Sequence, residues 1–367
     1  MFGSLHWASN SFKEIKPIKN RFFARNGFFI FAISNPIYIM QARLYKSAFI
    51  FSLIFLFAAS CHSPFHVDIS DIKSPDIQIQ RYEQALFGAT LNPDRINELQ
   101  NEFPLFLGDK TLQEAQVIQL KNYVTDPYLQ KLFDETEKIF PNLKSQENEL
   151  SKAFQYLKHY IPNFQIPEVY SYISGDQESA YFQDQVIVVS LDHYLGFNHE
   201  AYNMAGTPKY KQFSLDKKFF LKDVLMAIAK SYIPSPGNDA QLLEQMVYEG
   251  KLLYFIKSMN PEISNKVLFT QTETHFQWLQ EKEKDLWRYY IENELLYTSD
   301  YLTYNKFIAD GPFTTPLGDE SAPRTGIWLG YKIIFSYMKK NEVDLKSMMQ
   351  NKDAQQILIK SGYKPGI

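Results

Sequence analysis

A chain with one cysteine cannot cross-link itself, and in this sequence that cysteine, Cys61, closes the stretch FSLIFLFAASC. Arg43 and Lys46 stand ahead of an apolar run from Ser47 to Ala59, and small residues Ala58, Ala59 and Ser60 come last. That order of positive patch, apolar run and small-residue site is a secretory signal. The run is too short for a spanning helix, which needs about 20 apolar residues. A cysteine directly after the small residues resembles a lipobox, in which cleavage precedes the cysteine and its sulfur is acylated. Cys61 is therefore the expected lipidation site, and acyl chains there, at about 0.8 kcal/mol per buried methylene, would hold the protein on a membrane. With no disulfide available, whatever follows must rest on a conventional apolar core.

The same signal bears on the start of the chain. From Met40 the sequence reads MQARLYKSAFIFSLIFLFAASC, a complete signal of ordinary length, so residues 1–39 are read as a start-site extension and 40–60 as the signal peptide. Residues 61–76 read as a polar tether with Pro64 and Pro75, and 77–367 as a single globular domain. Seven of the 38 Lys and Arg and one of the 41 Asp and Glu precede Cys61, which leaves the remainder at about −9. Such a charge leaves no electrostatic footprint for nucleic acid. Aromatic side chains, 30 Phe and 24 Tyr, are plentiful enough to build the core.

Periodicity places mostly helices. Asn92-Pro93-Asp94 reads as a helix start for Asp94 to Phe103, and helical patterns follow over 112–123, 127–140 and 147–160. VYSYISG after Glu168 and QVIVVSL over 185–191 are the clear β-runs, expected to pair as antiparallel strands across the connection 174–184. Gly196 to Gln212 reads as a polar loop. Helices return over 217–232, 241–259 (capped by Asn238 or Asp239), 273–297 and 326–341, then in two short pieces to Ser361. The spacing of Gly326 and Gly330 on one helix suits close helix packing. The class is α+β, mainly α-helical, with one small antiparallel sheet.

Few residues offer chemistry. His199-Glu200-Ala201-Tyr202-Asn203 is a near miss of HExxH, whose two histidines share a helix face to hold zinc beside a general-base glutamate. Asn203 is a poor ligand, and a solvated loop accounts for the segment. His193, six residues earlier in LDHYLG, does not complete a set. Glu249, in the helix QMVYEGKLLYF, stands where a third ligand would come from a downstream helix, yet the helix ahead of it, LKDVLMAIAKSY, has no histidine. Arg324, before the last long helix, suits an acidic group or a structural pairing. No GxSxG elbow, P-loop or GxGxxG is present. No metal, catalytic residue or small-molecule cofactor is expected.

Several segments together resemble the gliding motility lipoprotein GldB family of Bacteroidetes: the lipobox, RYEQALF from Arg81, EFPLFLG from Glu102 and YIPNFQIPEVYSYISG from Tyr160. VVSLDHYLG from Val188, MVYEGKLLYFIKSMNP from Met246, LWRYYIENELLYTSD from Leu286 and the run SAPRTGIWLGYKIIFSYMKKNEVDLKSMM from Ser321 complete it. The resemblance implies a lipid-anchored envelope protein needed for gliding, working with motility proteins linked to type IX secretion. It also implies a degenerate zincin-like domain, since the family resembles gluzincin-type zinc proteases while this chain lacks HExxH. Two functions stand side by side: a non-catalytic anchored component, with Glu249, His193 and Arg324 as a vestigial or partner-binding site, and a zinc-dependent envelope hydrolase using His193, His199 and Glu249. Only Asp68 and Asp71 follow Cys61 closely, without an acidic cluster, so the anchor is expected to face the periplasm.

Overall fold

The computed structural model describes residues 64–88, 90–175 and 179–366. The expectations for residues 1–39, for the signal 40–60 and for lipidation of Cys61 lie outside them. Four strands form the sheet: β1 (Ile79–Arg81), β2 (Glu168–Tyr172), β3 (Ala180–Gln183) and β4 (Val186–Ser190), in the order β1-β2-β4-β3. Helices of six or more residues are α1 (Tyr82–Phe87), α2 (Pro93–Glu102), α3 (Glu114–Thr125), α4 (Pro127–Ile139), α5 (Lys144–Tyr160) and α6 (Phe220–Tyr232). They continue with α7 (Leu242–Met259), α8 (Glu273–Glu292), α9 (Tyr301–Ile308), α10 (Thr325–Lys340), α11 (Leu345–Gln350) and α12 (Ala354–Ser361).

The expected antiparallel pairing of the two β-runs is overturned: β2 and β4 are parallel, in the register Val169↔Ile187 and Ser171↔Val189. The reason lies in their connection, which holds a strand of its own. β3 folds back on β4 through Asp184 and Gln185, both left-handed at φ 50° and 63°, the geometry of a tight hairpin turn. That reversal sends β4 in the direction of β2. The class is thus a mainly helical α+β fold with one small mixed sheet.

Alternation along the strands divides the interior in two. Ile79, Val169, Ile187 and Val189 join a large core with α5, α6, α7 and α10. Tyr170 on the opposite face joins a smaller core with Leu86, Phe87, Leu99, Phe103 and Leu132 of the N-terminal helices. At the seam Glu83, fully buried, accepts from Arg81 Nε at 2.6 Å and from Ser171 Oγ at 2.8 Å, while Arg81 also reaches Glu137 and the Phe140 carbonyl. A carboxylate in that position is tolerable only because each oxygen has a donor.

Local signals explain most helix ends. The Asn92 side chain accepts from Arg95 N with Pro93 in the first turn, and Asp126 caps α4 ahead of Pro127. α7 is capped not by Asn238 or Asp239 but by a reciprocal box between Gln241 and Glu244. The expected loop 196–212 contains short helices at Glu200–Met204 and Lys209–Gln212, too short to announce themselves by periodicity. Tyr202 anchors the first, its hydroxyl donating to Asp192 O at 2.7 Å and accepting from Leu195 N at 2.9 Å.

Two long helices form the spine. α7 and α10 cross where Gly250 meets Gly330, and a Cβ on Gly330 would stand 1.8 Å from the Met246 carbonyl oxygen. The stretch expected as a tether lies on this core from Pro64 onward: Phe65 is buried, its ring 4.9 Å from that of Tyr254.

Candidate functional site

α6 carries the apolar residues Val224, Leu225 and Ile228 into the large core, yet places Lys222, Asp223 and Lys230 among them on its other side. Lys222 is buried, and its ammonium donates to Thr270 Oγ1. Burial pulls its pKa down to about 8, while Asp223, Glu249 and Asp310 act in the opposite direction. Burial raises the Asp223 carboxyl, opposed by Lys222, by hydrogen bonds from Tyr194 and Ser179 and by His193. The Tyr194 hydroxyl donates to Asp223 at 3.1 Å.

Glu249 projects from α7 toward the same group. Burial raises its pKa, and Lys230, Arg324 and Lys222 work against that rise. Arg324 precedes α10 in a left-handed backbone conformation, φ 57°, opposite Thr270, which is left-handed at φ 51°. Non-glycine residues there cost about 1 kcal/mol or more each and persist only where neighbours hold them. The guanidinium does so, its Nη2 donating to the carbonyls of Phe269 at 2.5 Å and Thr270 at 3.1 Å. Its Nε lies 3.9 Å from Asp310.

The result is a neighbourhood of opposed charges, Lys222, Lys230 and Arg324 against Asp223, Glu249 and Asp310, in which Lys230 and Asp310 are exposed and Arg324 stands at ion-pair distance from Asp310. A groove of about 520 Å³ between β3 and α6 opens onto its edge, lined by Phe182, Asp223, Met226 and Lys230. Among the described residues no group of three or more His, Cys, Asp or Glu is placed to hold a metal ion. The chemistry of the set points the same way: nearby cations favour the charged forms of Asp223 and Glu249 and disfavour a further cation beside them.

Of the residues singled out in the sequence, Glu249 and Arg324 lie close enough for each charge to act on the other. His193 reaches it at the rim, on the turn Leu191–Tyr194 after β4. His199 does not. Its Nδ1 accepts from Ala201 N at 3.2 Å as the cap of a five-residue helix, and its Nε2 lies 3.6 Å from Glu135 of α4. Asn203 is held by Lys209 and Gln212. HExxN is therefore a loop-fastening arrangement. Sequence reasoning missed Lys222, Asp223 and Lys230, although three charges in the otherwise apolar run LKDVLMAIAKSY were a visible signal. It had no means of finding Asp310 and Thr270, which reach the set from distant parts of the chain.

The family model described as gliding motility protein GldB matches residues 62–365. No curated protein matches the chain. No solved structure matches it either.

Proposed function

The chain belongs to the family of gliding motility protein GldB, and from that premise we propose that it is a membrane-anchored, non-catalytic component of the gliding apparatus. In this reading acyl chains on Cys61 tether it to the cell envelope with the folded domain facing the periplasm, and it works beside motility proteins linked to type IX secretion. The scaffold is read as protease-like in layout and emptied of its metal chemistry. The single observation that carries the non-catalytic reading is the set of cations placed around the carboxylates Glu249 and Asp223. Of the carboxylates available for proton transfer or metal ligation, Glu249 lies within the influence of Lys230, Arg324 and Lys222, and Asp223 within that of Lys222. Among the described residues no helix is long and apolar enough to cross a membrane.

The test is depletion of the protein in its own cells with rescue by wild type, Cys61→Ser or Glu249→Gln, scoring surface spreading and secretion together. The expected result is loss of both on depletion, full rescue by Glu249→Gln and poor rescue by Cys61→Ser. A folded Glu249→Gln protein that fails to rescue, together with one zinc per chain lost on His199→Ala, would replace this reading with that of an envelope hydrolase.

A further inference from the structure

Away from the charge set, α7 buries a second lysine. Lys251 is 5% exposed and lies on the helix face that carries Glu244, Val247 and Tyr248, at the spacing of successive turns. Its ammonium has three N–H donors, and one of them reaches the carbonyl of Asn351, in the turn between α11 and α12. Among the described residues it has no ion-pair partner, and the only influence on its titration is burial, which lowers its pKa to about 8. A buried ammonium without a counter-charge is costly, and proteins normally supply one.

The space beside it is suited to receive one. A pocket of about 260 Å³ is lined by Lys251, the exposed Lys352, the loop 234–237, Tyr248, Ala354 and Glu244. Ala354 opens α12 beside the two lysines, and that helix already has its own cap, the Asp353 carboxylate accepting from Gln356 N at 2.7 Å. Glu244 lies seven residues before Lys251, about 10 Å away along the helix axis, and its carboxylate already accepts from Gln241 N at 2.7 Å. The pocket thus has two lysines at one end and a carboxylate at the other.

We propose that this pocket binds a small organic anion, its carboxylate or phosphate seated on Lys251 and Lys352, and its hydroxyl or amine end toward Glu244. Binding here is independent of the motility reading, since none of these residues belongs to the charge set around Glu249. The ligand supplies the counter-charge that the fold omits. Tyr248 closes the middle of the site, between the two polar ends.

The experiment is thermal unfolding of the full-length protein at constant ionic strength, titrated with inorganic phosphate or with acetate against a chloride control. Saturable stabilisation by phosphate alone would identify a phosphoryl ligand, and by acetate alone a carboxylate; either supports the site. Lys352→Ala, an exposed substitution that spares the fold, is expected to weaken the apparent affinity about tenfold, the loss of one charge-assisted hydrogen bond. Lys251→Met should abolish the effect while the unliganded variant melts no lower than wild type, because a buried charge has been removed. No saturable stabilisation by either anion, or an unchanged response in Lys352→Ala, would overturn the proposal.

Discussion

Replacing Gly330 with alanine should strike the spine of the molecule. The added Cβ would lie 1.8 Å from the Met246 carbonyl oxygen, whereas ordinary contact begins near 3.4 Å, so α7 and α10 must separate by about 1.5 Å at their crossing. The obstructing atom is helical backbone and cannot rotate aside. A gap of only 0.5–1 Å already forfeits roughly a quarter to a half of each dispersion contact. These two helices bury Met246, Val247, Leu253, Ile333 and Ile334 among others, and a loss of about 1 kcal/mol at each of four or five side chains is the scale to expect. Better helix propensity returns about 1 kcal/mol. The net loss is about 3–4 kcal/mol, or roughly 5–8 °C in Tm for a chain of this size. Urea unfolding followed by circular dichroism would read it. Gly250→Ala should show a similar loss, and the double variant should fall short of the sum because both methyls demand the same separation. Gly237→Ala, where a Cβ meets nothing within 4 Å, is the control. A Gly330→Ala protein within about 0.5 kcal/mol of wild type would refute the close-crossing argument.

Two further outcomes follow from the described contacts and a third from the proposed anchor. Arg81→Met strands the fully buried Glu83 carboxylate and should cost about 3–5 kcal/mol, with much of it recovered in Arg81→Met/Glu83→Leu; a simple sum of the two single losses would count against the pairing. Lys251 has a folded pKa of about 8 against 10.5 for the free side chain, so the unfolded chain binds more protons between those values. Stability in phosphate-free buffer should therefore rise from pH 8 to 9.5 by about 1–2 kcal/mol, and Lys251→Met should flatten the slope without removing the share of Lys222. Cys61→Ser should move the protein from the membrane to the soluble fraction on ultracentrifugation, and an unchanged membrane fraction would argue against acylation.

Helices were the legible part of this fold because their signals are local. Asn92-Pro93 and Asp126-Pro127 supply caps and first-turn prolines within a few residues, and the apolar stripe of LKDVLMAIAKSY repeats within one helix. The strands were found but their direction was misread, since two runs of alternating residues do not say whether a hairpin lies between them. Gly326 and Gly330 showed close packing in prospect. That Gly250 would be the residue met by Gly330 could not be read, because it comes from another helix.

Function divides along the same line. The expected signal ending at Cys61 is read from contiguous residues, and so is the resemblance to the GldB family, whose model matches residues 62–365. Glu249 and Arg324 could be named from the sequence, but not the fact that Lys222 and Lys230 act on the charge of the first while the second fastens the backbone at Phe269 and Thr270. A side chain's charge is written at one position. Its burial and its partners depend on helices that meet across tens of residues, and for buried charges those determine whether a carboxylate can react or merely holds the fold together.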